Sequence, residues 1–280
     1  MKDLSARQAA RLDELMSQLT WAEKLNQIQV TYKTSLDECE DAARGGIGAL
    51  FWPGDAASTN AVQRAAVEES AHGIPLLIGL DVIHGQHTIF PIPLALAASF
   101  DPETARLCAR ASAAEARSGG VNWTYSPMID VSRDARWGRV AEGFGEDPRL
   151  SAAMGAAMIR GYQETAEGRR FGEGTLAACA KHFVAYGACE GGRDYNGADM
   201  SASRLREVYL PPFRAAVEAG AATVMASFNT LNGVPMHANR ALLDGILKEE
   251  WGFQGFIVGD ASGVENLVPH GVAHDLAAAA

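Results

Sequence analysis

Four short apolar runs in this chain stop on side chains that carry chemistry. Pro75-Leu-Leu-Ile-Gly-Leu-Asp81 ends on an acid, and Leu176-Ala-Ala-Cys-Ala-Lys181-His182 ends on two nitrogen bases. Thr223-Val-Met-Ala-Ser-Phe228-Asn229 ends on an amide, and Gln254-Gly-Phe-Ile-Val-Gly-Asp260 on a second acid. Each run has strand character. An acid at the end of a buried strand is costly to desolvate, so it is there for chemistry or is paired. Polar groups gathered at one end of successive strands describe a single pocket, and few folds provide that arrangement.

The rest of the chain alternates between strand and helix patterns. Residues 5–18 read as an amphipathic helix, and Thr20-Trp-Ala-Glu23 as a capping box that opens a second one. Strands are expected over 47–51, 75–81, 94–100 (the weakest), 121–126, 175–183, 222–228 and 256–260. Helices are expected over 59–71, 148–163, 201–219 and 240–250, with another running from an Asp101 N-cap and Pro102 to about 117. This alternation means a parallel sheet covered by helices. Both a doubly wound sheet and a (β/α)8 barrel satisfy it. However, Gly45-Gly46-Ile-Gly48 precedes its strand instead of following it, and no G-x-x-x-x-G-K-[ST] motif occurs. Polar residues after nearly every strand fit a barrel mouth better. The expected class is therefore α/β, a (β/α)8 barrel that is incomplete, with about seven strands. Residues 273–280 fall where the helix after the Asp260 strand belongs, which suggests a piece of a longer protein. One domain is expected over 1–280, with residues 1–30 as a helical lead-in and Glu164–Gly174 as a surface connection.

At 280 residues and 48% hydrophobic content, the chain can bury a sizeable core. Its net charge of −10 argues against nucleic acid or an anionic membrane surface as a partner, because either needs a basic patch. The opening Met1-Lys-Asp-Leu-Ser-Ala-Arg-Gln has no apolar core and so no signal peptide. The longest stretch free of charge and histidine, Ala219 to Met236, is broken by Ser227, Asn229, Asn232 and Pro235 and does not read as a membrane span. A soluble chain is expected. The four cysteines show no CxxC spacing, and Cys108 and Cys179 sit in apolar patterns as buried thiols.

Asp260 is the foremost candidate for chemistry. No His or Cys cluster accompanies it, and His270 and His274 lie across Gly271, so neither a metal nor a cofactor is expected. Asp81 can accept two hydroxyl hydrogen bonds at once, which suits a vicinal diol. Lys181 alone could be a Schiff-base nucleophile. Beside His182 it suits the hydroxyls of a polar ligand instead, provided the strand ends there, since adjacent strand residues otherwise face opposite ways. Arg133-Asp134-Ala-Arg136-Trp137-Gly138-Arg139 places three arginines in one loop. At least one is expected to pair internally, and Arg139, next to Gly138, is the better ligand candidate.

These residues lie in motifs that together resemble glycoside hydrolase family 3, the β-glucosidase group, in its amino-terminal barrel. The motifs are D-V-I-H-G-Q-H-T-I-F-P-I-P-L at 81–94, S-P-M-I-D-V-S-R-D-A-R-W-G-R at 126–139 and E-G-F-G-E-D-P at 142–148. They continue with K-H-F-V-A-Y-G at 181–187, E-G-G-R-D-Y-N at 190–196 and E-E-W-G-F-Q-G-F-I-V-G-D at 249–260. The resemblance covers nearly the whole chain. It implies Asp260 as the catalytic nucleophile and Asp81, Arg139, Lys181 and His182 as holders of the non-reducing glucosyl unit, with Arg193 and Phe228 lining the same subsite. It implies a retaining β-glucosidase acting on β-glucosides or oligosaccharides, in which Arg139 and Lys181 keep Asp260 ionised. Gly259 stands where relatives usually have Ser, and Ala261 where an aromatic or His is frequent, which changes the aglycone side. The acid/base resembles a Glu from a following sandwich domain that this chain does not contain. The His-Asp dyad of the single-domain hexosaminidases is excluded, because no histidine occurs between His182 and His237. The alternative is a sugar-binding, catalytically silent fragment. Relatives of this kind are often exported.

Overall fold

The computed structural model describes residues 5–51 and 54–280, so the first four residues of the expected lead-in lie outside it. Two compact units emerge, residues 1–80 with 116–123, and 81–115 with 124–280.

In the first unit, helices α1 (Ala6–Gln18) and α2 (Trp21–Gln27) each begin with a reciprocal capping box. At α2 the expected pair forms: the Thr20 N–H donates to Glu23 Oε2 at 2.8 Å, and the Glu23 N–H returns to Thr20 Oγ1 at 3.3 Å. Strand β1 (Val30–Tyr32), helix α3 (Leu36–Arg44), strand β2 (Ala49–Phe51), helix α4 (Ala56–Arg64) and strand β3 (Leu77–Leu80) follow. The three strands pair in parallel, with Val30 opposite Ala49 and Leu50 opposite Ile78. Cys39, Leu50, Val62, Leu76 and Ile78 form their buried core. Asn122, on the returning segment, closes the edge of β3: its Oδ1 accepts the Ile78 N–H at 2.7 Å and its amide donates to Leu76 O at 3.0 Å.

In the second unit the stretch 94–100 is not a strand. Pro93–Ala97 is a short helix, α5, with Pro93 as its first residue. A run such as Leu-Ala-Leu-Ala-Ala satisfies either period, and the proline at its head is a helix-start signal. Helix α6 (Pro102–Ser118) matches expectation, whereas β4 is only Trp123–Thr124. Helix α7 (Pro148–Gln163), capped by Asp147, leads to β5 (Ala177–Phe183). The helix expected over 201–219 is divided, with its last part, Pro211–Glu218, separate. Pro211 and Pro212 each lack an N–H, which ends the preceding helical hydrogen-bond pattern. Strand β6 (Thr223–Ala226) is followed by a hairpin of β7 (Thr230–Leu231) and β8 (Val234–Pro235), then by β9 (Phe256–Gly259). The hairpin turns on Asn232 (φ 49°) and Gly233 (φ 81°), both left-handed, as a tight two-residue turn requires.

Strands β5, β6 and β9 pair in parallel, with Val224 between Ala180 and Ile257. Gln163, at the end of α7, joins the starts of two of them. Its Oε1 accepts the N–H groups of Ala178 and Ala222 at 3.1 and 2.9 Å, and its amide donates to Gly220 O at 2.7 Å. Segment 126–129 runs alongside β5, with Ser126 O accepting from Cys179 N at 3.0 Å and Lys181 O accepting from Ile129 N at 2.8 Å.

Among the described residues, seven strands follow one another with helices between them, outside the hairpin. This is the repeat of an α/β barrel-type fold with one strand fewer than eight. The strand count agrees with the sequence reading for a compensating reason: 94–100 is lost and β1, a largely exposed strand with no apolar run, is gained. All four cysteines are free; Cys39, Cys179 and Cys189 are buried, and Cys108 is only half-buried. No helix among the described residues is long and apolar enough to cross a membrane.

Candidate active site

Every candidate residue lies in the second unit. At the end of β5 the register with β6 shifts between Ala180 and Phe183, and the Lys181–His182 peptide is cis. The register shift re-aims side chains that would otherwise alternate. Lys181 is 4% exposed and its Nζ donates to Asp81 Oδ1 at 2.6 Å, while the Asp81 side chain is 42% exposed. The acid and the base that end two of the four apolar runs therefore meet directly.

His182 is fully enclosed and bound from both sides. Asp130 Oδ2 accepts its main-chain N–H at 2.9 Å and lies 2.8 Å from its Nδ1. Arg139 Nη2 lies 3.2 Å from its Nε2. A carboxylate accepts only, and a guanidinium donates only. The network thus puts the imidazole proton on Nδ1 and leaves the Nε2 lone pair for Arg139. Burial, with Lys181 and Arg139 adding to it, holds His182 well below its ordinary value, so the ring is neutral. Burial pushes the Asp130 carboxyl up to about 7, against the His182 N–H and the charges of Arg139 and Lys181.

Asp260 Oδ2 lies 3.5 Å from His182 Nε2. Both atoms are acceptors, so this is proximity without a hydrogen bond, and Asp260 Oδ2 has no hydrogen-bond partner. Its sister oxygen, Oδ1, accepts the Ala261 N–H at 2.7 Å. Burial raises the Asp260 carboxyl above its ordinary value, while the Ala261 N–H, Lys181 and Arg139 oppose the rise. The two cations act in the expected direction, but desolvation outweighs them.

Arg139 forms a fork with Glu142, Nε to Oε1 at 2.7 Å and Nη2 to Oε2 at 2.9 Å, and its guanidinium sits 5.5 Å from the Tyr186 ring centre. Arg136 pairs with Asp134 at 2.6 Å, which is the internal pairing expected in that loop. Phe228 packs into a buried cluster with Met128, Trp137, Tyr186 and Cys189. Tyr195, 57% exposed, rests 4.6 Å from Phe228. The loop carrying Tyr195 is tied back by the Trp137 Nε1–H bond to Asp194 Oδ1 at 2.9 Å. Arg193 is exposed on this loop, with no ion pair among the described residues.

The structure therefore joins Asp81 to Lys181 and links Arg139, His182 and Asp260 around one imidazole. Phe228 stands behind them through Tyr186, 5.2 Å from the His182 ring. Arg193 is not drawn into the network. Sequence reasoning missed Asp130, although Pro-Met-Ile-Asp at 127–130 is another apolar run ending on an acid. It also missed His237, whose Nε2 accepts the Asp260 main-chain N–H at 3.1 Å. Among the described residues, no group of three or more His, Cys, Asp or Glu is placed to hold a metal. Chemically, the cluster is a carboxylate with one unengaged oxygen, next to donors suited to hydroxyl groups.

The family description "Glycosyl hydrolase family 3 N terminal domain" matches residues 20–280. A periplasmic beta-glucosidase of Salmonella typhimurium is 40% identical over 95% of this chain and 35% of its own length. A beta-xylosidase of Formosa agariphila is 48% identical over 71% of this chain and 27% of its own. The crystal structure of a beta-glucosidase from Listeria innocua in complex with glucose superposes with a TM-score of 0.90 at 40% identity, covering 96% of this chain and 40% of that one. The chain spans about a third of the length of the curated relatives it matches. On the family match, the identities and the shared α/β barrel-type fold, the chain belongs to glycoside hydrolase family 3, within its amino-terminal domain.

Proposed function

We propose that this chain is the nucleophile-bearing domain of a retaining β-glucosidase-type glycoside hydrolase, which removes non-reducing terminal β-D-glucosyl units. The observation that carries the reading is the unpartnered Oδ2 of Asp260, 3.5 Å from His182 Nε2 and beside the donors Arg139 and Lys181. Oδ2 attacks the anomeric carbon as the bond to the leaving oxygen breaks, giving a glycosyl ester that water then hydrolyses. Asp81, Lys181 and Arg139 bind sugar hydroxyls, and these contacts tighten as the ring flattens toward an oxocarbenium ion. The glucose complex of the Listeria relative supports a glucosyl ligand, while the named xylosidase shows that relatives extend to another pyranose.

A retaining enzyme needs a second carboxylic acid about 5 Å from the nucleophile. The carboxylates of this cluster are committed: Asp81 to Lys181, Glu142 to Arg139, and Asp130 behind His182. The proton donor in this reading is a carboxylic acid from outside this cluster, in keeping with the Glu that the family resemblance implies. Imine chemistry at Lys181 is disfavoured, because its Nζ is held by Asp81.

The test is covalent trapping with 2,4-dinitrophenyl 2-deoxy-2-fluoro-β-D-glucoside, whose leaving group needs little acid assistance. The expected result is one fluoroglucosyl adduct by intact mass, mapped to the peptide containing Asp260 and absent in Asp260→Asn. Glucose binding without any adduct would replace this reading with that of a catalytically silent sugar-binding domain.

A further inference from the structure

We propose that His237 is a positioning residue for the nucleophile: its Nε2 holds the main-chain N–H of Asp260 and thereby sets where the free carboxylate oxygen points. This rests on the proposed role of Asp260. His237 lies on the single turn Met236–Ala238 that follows the β7–β8 hairpin, far from Asp260 in sequence. The turn is anchored by the fully buried Met236, whose N–H donates to Asn229 O at 3.2 Å. From there the imidazole reaches the end of β9 and accepts the Asp260 N–H at 3.1 Å.

The loop after β9 is folded around the tip of that ring. The Gly263 N–H closes a turn on Asp260 O at 2.9 Å. A Cβ on Gly263 would stand 2.0 Å from His237 Nε2, and one on Gly259 would stand 3.4 Å away. Only a residue without a side chain fits at 263 while the ring keeps its place. Because Nε2 accepts, the proton sits on Nδ1 and the ring is neutral. Burial, reinforced by His270, keeps it so by lowering its titration to about 4. Asp260 is thus held at two points, by His237 through its N–H and by the Ala261 N–H through Oδ1, and the buried Oδ2 is left without a hydrogen-bond partner.

The experiment compares trapping kinetics by the fluoroglucoside in the whole chain carrying His237→Gln, His237→Leu or Gly263→Ala. Glutamine offers an amide oxygen as acceptor and leucine offers none. In Gly263→Ala both functional residues are intact but the ring is displaced. The expected result is a fall of about tenfold in the first-order trapping rate for His237→Leu and Gly263→Ala, the scale of one buried hydrogen bond lost. The inactivator's binding constant should be unchanged, and His237→Gln should stay within a few-fold of the parent. If glutamine and leucine lose rate alike, or Gly263→Ala traps at the parent rate, the inference is overturned. If His237→Leu does not fold, the Gly263→Ala rate decides alone. A parent that forms no adduct refutes the Asp260 reading instead, and this inference falls with it.

Discussion

Replacing Asp130 with Asn offers a quantitative test of the buried half of the site. Burial lifts the Asp130 carboxyl from its ordinary 3.8 to about 7. The folded state therefore holds this proton more tightly than the unfolded chain does. Below about pH 4 both states are protonated and the preference costs nothing; as pH rises to about 7 the unfolded state ionises first and is stabilised relative to the folded state. The interval corresponds to about 4 kcal/mol of stability lost with rising pH. The substituted amide has no proton to lose, yet its oxygen can still accept both His182 donors, so Asp130→Asn lacks this slope. Urea unfolding, followed by the fluorescence of buried Trp137 and Trp123, gives stability at a series of pH values. Subtracting the variant from the parent cancels the titrating groups that do not interact with Asp130; Asp260 and His237 are among them. The difference should favour the parent most near pH 4 and fall by about 4 kcal/mol by about pH 8. A difference that is flat or rises with pH would refute the burial argument for Asp130.

Other outcomes follow from the same contacts. Lys181→Met removes the 2.6 Å bond to Asp81 and, on the proposed function, a donor for sugar hydroxyls. Glucose affinity should weaken by roughly 10- to 100-fold in calorimetric titration, the range for a hydrogen bond to a charged group. Arg139→Lys cannot keep the two-pronged contact with Glu142 while also donating to His182, so fluoroglucoside trapping should slow by about tenfold or more. Gln163→Leu leaves the Ala178 and Ala222 N–H groups without their acceptor, while the Gly220 carbonyl keeps Arg170, which should cost about 2–4 kcal/mol in urea unfolding without altering the contacts of Asp260.

The fold class was legible because strand–helix alternation survives local errors. Thr20 and Glu23 announced α2 through residues three apart, and Asp101-Pro102 announced α6. Residues 94–100 misled because an alternating Leu/Ala run fits either period, and β1 was missed because Val30-Thr31-Tyr32 is a largely exposed strand with no apolar run to announce it. The site divides in the same way. Asp81, Lys181, His182 and Asp260 stood at the ends of readable strands. Asp130 and His237 act on partners 52 and 23 residues away, and only the folded chain reveals those pairings. The predicted ionising effect of Arg139 and Lys181 on Asp260 was right in sign but too small, since the depth of burial cannot be read from neighbouring letters.

The four free cysteines give this domain a built-in clock for its own opening. Burial pushes the thiols of Cys179 and Cys189 up to about 12, so at neutral pH almost none of either is the reactive thiolate. A disulfide reagent should modify half-buried Cys108 first and reach these two only when β5 and the loop after it come apart. The lag between the two events would time that breathing motion, and a bound sugar that tightens the site would lengthen it.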